Sequence, residues 1–184
     1  MFSIKTMLEQ YKSHIWGLTE YSNGVLILAA PCQLRRLDKV QRWFLHELGI
    51  SDTFAFVQFN FAPPTLRRNI GLMNFLQNTL CNNAHPALCH ALPYVPADLC
   101  STYHSKALDP CRDVVMYHTR LYERSLYAYI LAYNRLPQAL VDAPTVSNFQ
   151  ARLTHLATQR ASNANDSWRR CFQNCEQVHY MFYA

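Results

Sequence analysis

Apolar positions recur at helical rather than strand spacing along most of the chain. Phe2 to Tyr21 carries Ile4, Met7, Leu8, Tyr11, Ile15 and Leu18, the three-and-four step of one helix face, and Asn23–Gly24 supplies a stop. Pro31 opens a second helix, in which Leu34, Leu37, Val40, Phe44, Leu45 and Leu48 form a broad stripe before Gly49 ends it. Ser51 and Asp52 are placed to cap a short helix through Phe59. Pro63–Pro64 suits a helix start, where a missing N–H is no loss, and Leu66, Ile70, Met73, Leu76 and Leu80 carry that helix to about Cys81.

Regularity then lapses. Asn82 to Arg112 holds Pro86, Pro93, Pro96 and Pro110, and reads as a long connection with one helical turn around Ala87 to Ala91. Helical pattern returns at Thr119 to Asn134 and breaks at Arg135–Leu136–Pro137. Pro144 and Thr145 start another helix with Val146, Phe149, Leu153 and Leu156 on one face. After a polar break at Asn163 to Asn165, Asp166 caps a last helix carrying Trp168, Cys171, Phe172 and Cys175. Val178 to Ala184 reads as an apolar strand or arm. The expected fold is all-α and irregular: helical regions at 1–81 and 119–184 joined by a Pro- and Cys-containing connection at 82–118.

Composition narrows the class. Half of the 184 residues are apolar and 16% are charged, which excludes a disordered charged tail. No apolar run approaches the roughly 18 residues of a membrane span. Met1 to Gln10 carries Lys5 and Glu9 and lacks the apolar core of a secretory leader. Seven irregularly spaced cysteines point to a reducing compartment rather than a disulfide framework.

Charge adds a partner class. The net charge is +5, and Arg outnumbers Lys 13 to 4. Arg grips phosphate and stacks on bases with a planar fork that Lys lacks. Three Arg pairs are candidate nucleic-acid contacts: Arg35–Arg36, Arg67–Arg68 and Arg169–Arg170. Arg67 and Arg68 fall in the first turn of a helix, where positive charge opposes the dipole and calls for an anion. A phosphate and a carboxylate of the same chain are both open. Arg120 and Arg124 are interleaved with Tyr117, Tyr122, Tyr127, Tyr129 and Tyr133, a pattern suited to stacking on single-stranded RNA. Core packing is the better reading for Tyr129 and Tyr133. Tyr122, Tyr180, Phe182 and Tyr183 are candidate protein-partner contacts.

Other chemistries find little footing. Cys81, His85, Cys89, His90, Cys100, His104 and Cys111, and separately Cys171, Cys175 and His179, have helix-like spacings that zinc uses. Pro86 interrupts the first group and the second lacks a fourth ligand, so no metal or other cofactor is expected. There is no Gly-rich phosphate loop and no local nucleophile–base signature, so neither an enzyme nor a small-molecule substrate is expected.

Four segments, LEQYKSHIWGLTEY (8–21), LRRLDKVQRWFLHELGIS (34–51), FNFAPPTLRRNIGLMNFLQNTL (59–80) and YNRLPQALVDAPTVSNFQARL (133–153), occur in an order that resembles the region following the polymerase core in LINE-type (non-LTR) retrotransposon proteins. Asn69 stands where that family often has Asp, and the stretch from Cys81 to Tyr117 has no counterpart. The tandem aspartates that hold the two metal ions of the polymerase are missing. The resemblance therefore implies a non-catalytic helical module that helps hold nucleic acid. It would be a structural subunit of a large ribonucleoprotein, with ribosomal RNA and neighbouring proteins as partners and a mitochondrial ribosome as its setting. A protein–protein scaffold without RNA contact is the alternative.

Overall fold

A computed structural model describes residues 2–21, 26, 29–81, 85–92, 105–108, 126–163, 166–173, 178, 181 and 182. It is all-α, and no strand occurs among those residues. The first helical run comprises α1 (Ile4–Tyr11), a π-helical turn (Lys12–Trp16) and α2 (Gly17–Glu20). Ser3 caps α1 by accepting from the Thr6 amide. The π turn, which apolar periodicity does not predict, inserts an extra residue and re-aims the downstream face. Trp16 and Glu20 reach Arg67 from that face.

Helix α3 (Pro31–Glu47) starts with Pro31 in its first turn, and Gly49, at φ +66°, takes the left-handed position beyond its end. Ser51 caps α4 (Asp52–Phe59), and Asn60, also left-handed, terminates it. That reversal buries Phe61, Ala62 and Pro63 and delivers Pro64 as the start of α5 (Pro64–Leu80). Helix α6 (Pro86–Ala91) is short, with His85 accepting from the Ala87 amide. Helix α7 (Leu126–Asn134) is the described part of the Tyr-rich helix. The pattern predicts only a break after Asn134. The chain instead goes on to form the short α8 (Gln138–Val141) beyond Pro137. Thr145 caps α9 (Val146–Ser162).

Two expectations fail near the C-terminus. The helix expected from Asp166 is a 3₁₀ helix at Asp166–Arg170, and Cys171 and Phe172 lie in the turn after it. The apolar tail is helical at Val178, Met181 and Phe182, not extended. Val178 enters the main core and Phe182 packs half-buried against it.

Two apolar clusters result. The larger runs from Phe56 through α5, α7, α8 and α9 to Trp168, Phe172 and Val178, so both expected helical regions share it. Buried polar groups cross-link it. Tyr133 donates to Gln77 Oε1 at 2.5 Å, and Gln77 donates to the Val141 carbonyl at 3.0 Å. Tyr129 donates to Asn69 Oδ1 at 2.8 Å, and Asn134 exchanges two bonds with the Leu108 backbone. Tyr129 and Tyr133 are core residues, as their place on the apolar face predicts. The smaller cluster is Leu8, Tyr11, Leu45, Ala55 and Phe61, where α1 and α3 meet.

Candidate nucleic-acid interface

The Arg67–Arg68 pair lies in the first turn of α5, where the helix dipole already carries positive potential. The anions that balance it come from the chain itself. Arg67 Nε donates to Glu20 Oε1 at 2.5 Å, and its terminal nitrogens reach Glu20, the Ala62 carbonyl and, at 2.8 Å, Gln41 Oε1. Its guanidinium lies 4.0 Å from the centre of the Trp16 ring. Burial lowers the Arg67 pKa, and the bond and charge of Glu20 pull it back up. Arg68 makes a two-pronged contact with Asp38, at 2.9 and 3.0 Å, and Thr65 donates to the same carboxylate at 3.4 Å. The two Arg side chains are 11% and 8% exposed. Phosphate contact by Arg67 and Arg68 is therefore corrected: both forks are occupied inside the fold.

The Arg35–Arg36 pair has the opposite surroundings. Helix α3 buries Gln41 and Leu45 and half-buries Leu34, Leu37, Asp38, Phe44 and Leu48. Its other side presents Arg35, Arg36, Lys39, Arg42, Trp43 and His46 to solvent. Arg35, Lys39, Arg42 and His46 step by four, three and four residues, which places them within about 60° of arc on the helix. Trp43 stands beside them with 68% of its surface exposed. Asp38, the carboxylate nearest this stripe in sequence, points inward to Arg68. Glu47 lies 3.8 Å from His46, a surface contact of little energetic weight.

Arg169 and Arg170 end the 3₁₀ helix. Arg169 Nε is 3.6 Å from Asp52 Oδ2 and its guanidinium lies 4.8 Å from the centre of the Trp168 ring, while Arg170 is exposed. Trp168 is held by stacking on Phe56, with ring centres 5.0 Å apart. Arg120, Tyr122, Arg124, Tyr180 and Tyr183 lie outside the described residues. Phe182 packs half-buried against its own core.

Sequence reasoning missed Lys39, Arg42 and Trp43. The spacing that joins them to Arg35 is present in the sequence, but adjacent Arg pairs are the more conspicuous signal. Among the described residues no group of three His, Cys, Asp or Glu is arranged to hold a metal ion. Cys100, His104, Cys111, Cys175 and His179 lie outside them. No described helix is long and apolar enough to cross a membrane. Comparisons with protein-family models, curated proteins and solved structures found no match.

Proposed function

We propose that the protein is a non-catalytic, RNA-associated structural module that holds the phosphate backbone on the outer face of α3. The observation that carries this reading is the stripe Arg35–Lys39–Arg42, with Arg36 and the exposed Trp43 beside it and its near carboxylate turned inward. Like charges at four-residue spacing repel one another. A polyanion laid along the helix relieves that repulsion and releases counterions. Trp43 offers a stacking surface for an unpaired base, and the guanidiniums beside it add cation–π and fork-type contacts. Arg170 supplies a further exposed cation.

The sequence resemblance gives the wider frame: a retroelement-derived module recruited into a large ribonucleoprotein, with a mitochondrial ribosome as the specific setting. Ribosomal RNA is then the partner.

The test is a salt titration of binding to a labelled single-stranded RNA. The wild-type protein should lose affinity linearly on a log–log plot as salt rises. The variant Arg35→Gln/Arg36→Gln/Lys39→Gln/Arg42→Gln should bind more weakly, with the slope reduced by about one for each phosphate it no longer holds. An unchanged affinity and slope would remove the assignment.

A further inference from the structure

Between α1 and α3 the surface opens into a groove of about 790 Å³, lined by Phe2, Met7, Tyr11, Val40, Trp43 and Phe44, with Thr6 and Gln10 among its few polar neighbours. Phe2 is 80% exposed, and Met7 and Val40 also stand open at its walls. The floor is rigid. Tyr11 stacks on Phe44 with ring centres 4.5 Å apart and meets Phe61 edge-on at 5.4 Å; Tyr11 and Phe61 belong to the small core and Phe44 packs against it. Solvent-facing apolar surface on a fixed base of this kind marks an interaction site.

We propose that this groove receives one amphipathic helix of a partner protein, with apolar anchors on its inner face and acidic residues along the flank that meets α3. The inference goes beyond RNA association: the groove and its rim share Trp43, Arg36 and Lys39 with the RNA face and add the α1 wall. Three observations select this occupant. The lining is nearly all carbon, so it leaves the polar edges of a nucleobase without partners but suits side chains stepped along a helix. The groove is concave between two helices and accepts a ridge, whereas a membrane surface would require a projecting apolar face. Its two rims differ in charge. The α3 rim carries Arg36 and Lys39, while the exposed charges of α1 are Lys5 and Glu9. A second copy docked symmetrically through this face would set one concave groove against another and leave both without a ridge to fill them. An acidic flank complements that rim and fixes the direction in which the helix lies.

The test uses two labelled peptides that share one apolar helix face, one flanked by Glu and the other by Lys, titrated into the full chain. Trp43 lies in the groove wall, so its emission should shift to the blue as the Glu-flanked peptide buries it. The Lys-flanked peptide should bind at least about tenfold more weakly. Val40→Glu and Met7→Glu change exposed positions, so helicity should hold while affinity for the Glu-flanked peptide falls at least about tenfold. Trp43→Phe should remove the emission shift. Met7→Glu, on α1, should leave the RNA salt slope unchanged. Equal binding of the two peptides, or binding of neither, would overturn the proposal. So would self-association that Val40→Glu abolishes, or anionic vesicles giving the same shift. Arg35→Gln/Arg42→Gln leaves the Arg36 and Lys39 rim in place, so loss of RNA binding in that variant with peptide binding retained would separate the two readings.

Discussion

The same dipeptide, Arg–Arg, occurs near the start of α3 and in the first turn of α5, and the fold uses it in opposite ways. Arg67 and Arg68 sit among Leu66 and Ile70, which belong to the main core, so their backbone is drawn inward and their charges must be balanced there. Arg35 and Arg36 lie on the side of α3 opposite Gln41 and Leu45 and remain in water. The difference lies in the phase of the apolar positions around each pair. Burial turns an Arg into a structural clamp with carboxylate partners. Exposure leaves it available to a partner outside the chain.

The largest effect should come from breaking the buried clamp on one side. Asp38→Ala leaves the Arg68 guanidinium desolvated and without its anion, which should cost about 3–5 kcal/mol in urea denaturation. Replacing both members, as in Asp38→Leu/Arg68→Met, should recover most of that loss, because an apolar pair removes the uncompensated charge. Additive losses in the double variant would mean that the two side chains do not act as a unit.

Next in size is an alkaline transition near the same clamp. Burial pushes the Tyr129 hydroxyl up from 10 to about 12, with the Arg68 charge pulling it partly back. The folded state therefore holds this proton more tightly than the unfolded chain. The stability is fully present below pH 10 and is lost as pH rises toward about 12. Over that interval the loss should be about 2–3 kcal/mol. Tyr129→Phe should flatten the fall. Cys171→Ala should flatten it further, since burial also raises that thiol, from 9 to about 12. An unchanged slope in both variants would show that other groups govern the transition.

Arg67 should matter somewhat less than Asp38, because its partners keep other contacts. Arg67→Gln should cost about 2 kcal/mol by thermal or urea unfolding, from loss of the Glu20 pair and of the stacking on Trp16. Arg67→Lys should rescue little. An ammonium cannot reach Glu20, Gln41 and the Ala62 carbonyl together while lying flat on an indole.

Much of this contrast was legible in the sequence, and the remainder has a physical reason. Helices α3, α5 and α9 follow from apolar periodicity, and Gly49, Ser51 and Thr145 mark ends of α3, α4 and α9 through local backbone chemistry. The π turn and α8 were not legible. Each is short, and bonds between residues distant in sequence hold it, such as Lys12 to the Phe59 carbonyl at 2.7 Å and Gln77 to the Val141 carbonyl at 3.0 Å. The dipole argument at α5 required an anion without naming it. Glu20 and Asp38 lie 47 and 30 residues away from their arginines, and only the packing of α2 and α3 against α5 selects them. The α3 stripe needed no tertiary information, since its spacing is written along one helix.

The smallest effect on stability, and the sharpest test of the contrast, belongs to the exposed pair. Arg35→Gln/Arg36→Gln removes two charges that α3 presents to water, so unfolding free energy should move by no more than about 0.5 kcal/mol. Any shift should be toward greater stability, because Arg35 repels Lys39 at four-residue spacing along the helix. RNA affinity should nevertheless fall, and the log–log salt slope should shrink by about two if both guanidiniums hold phosphates. Arg67→Gln should show the converse: a destabilised fold and, at temperatures where it remains folded, a salt slope like that of the wild type. A change in slope at Arg67 matching that at Arg35 and Arg36 would return the buried pair to the interface, and the distinction between clamp and contact would fail.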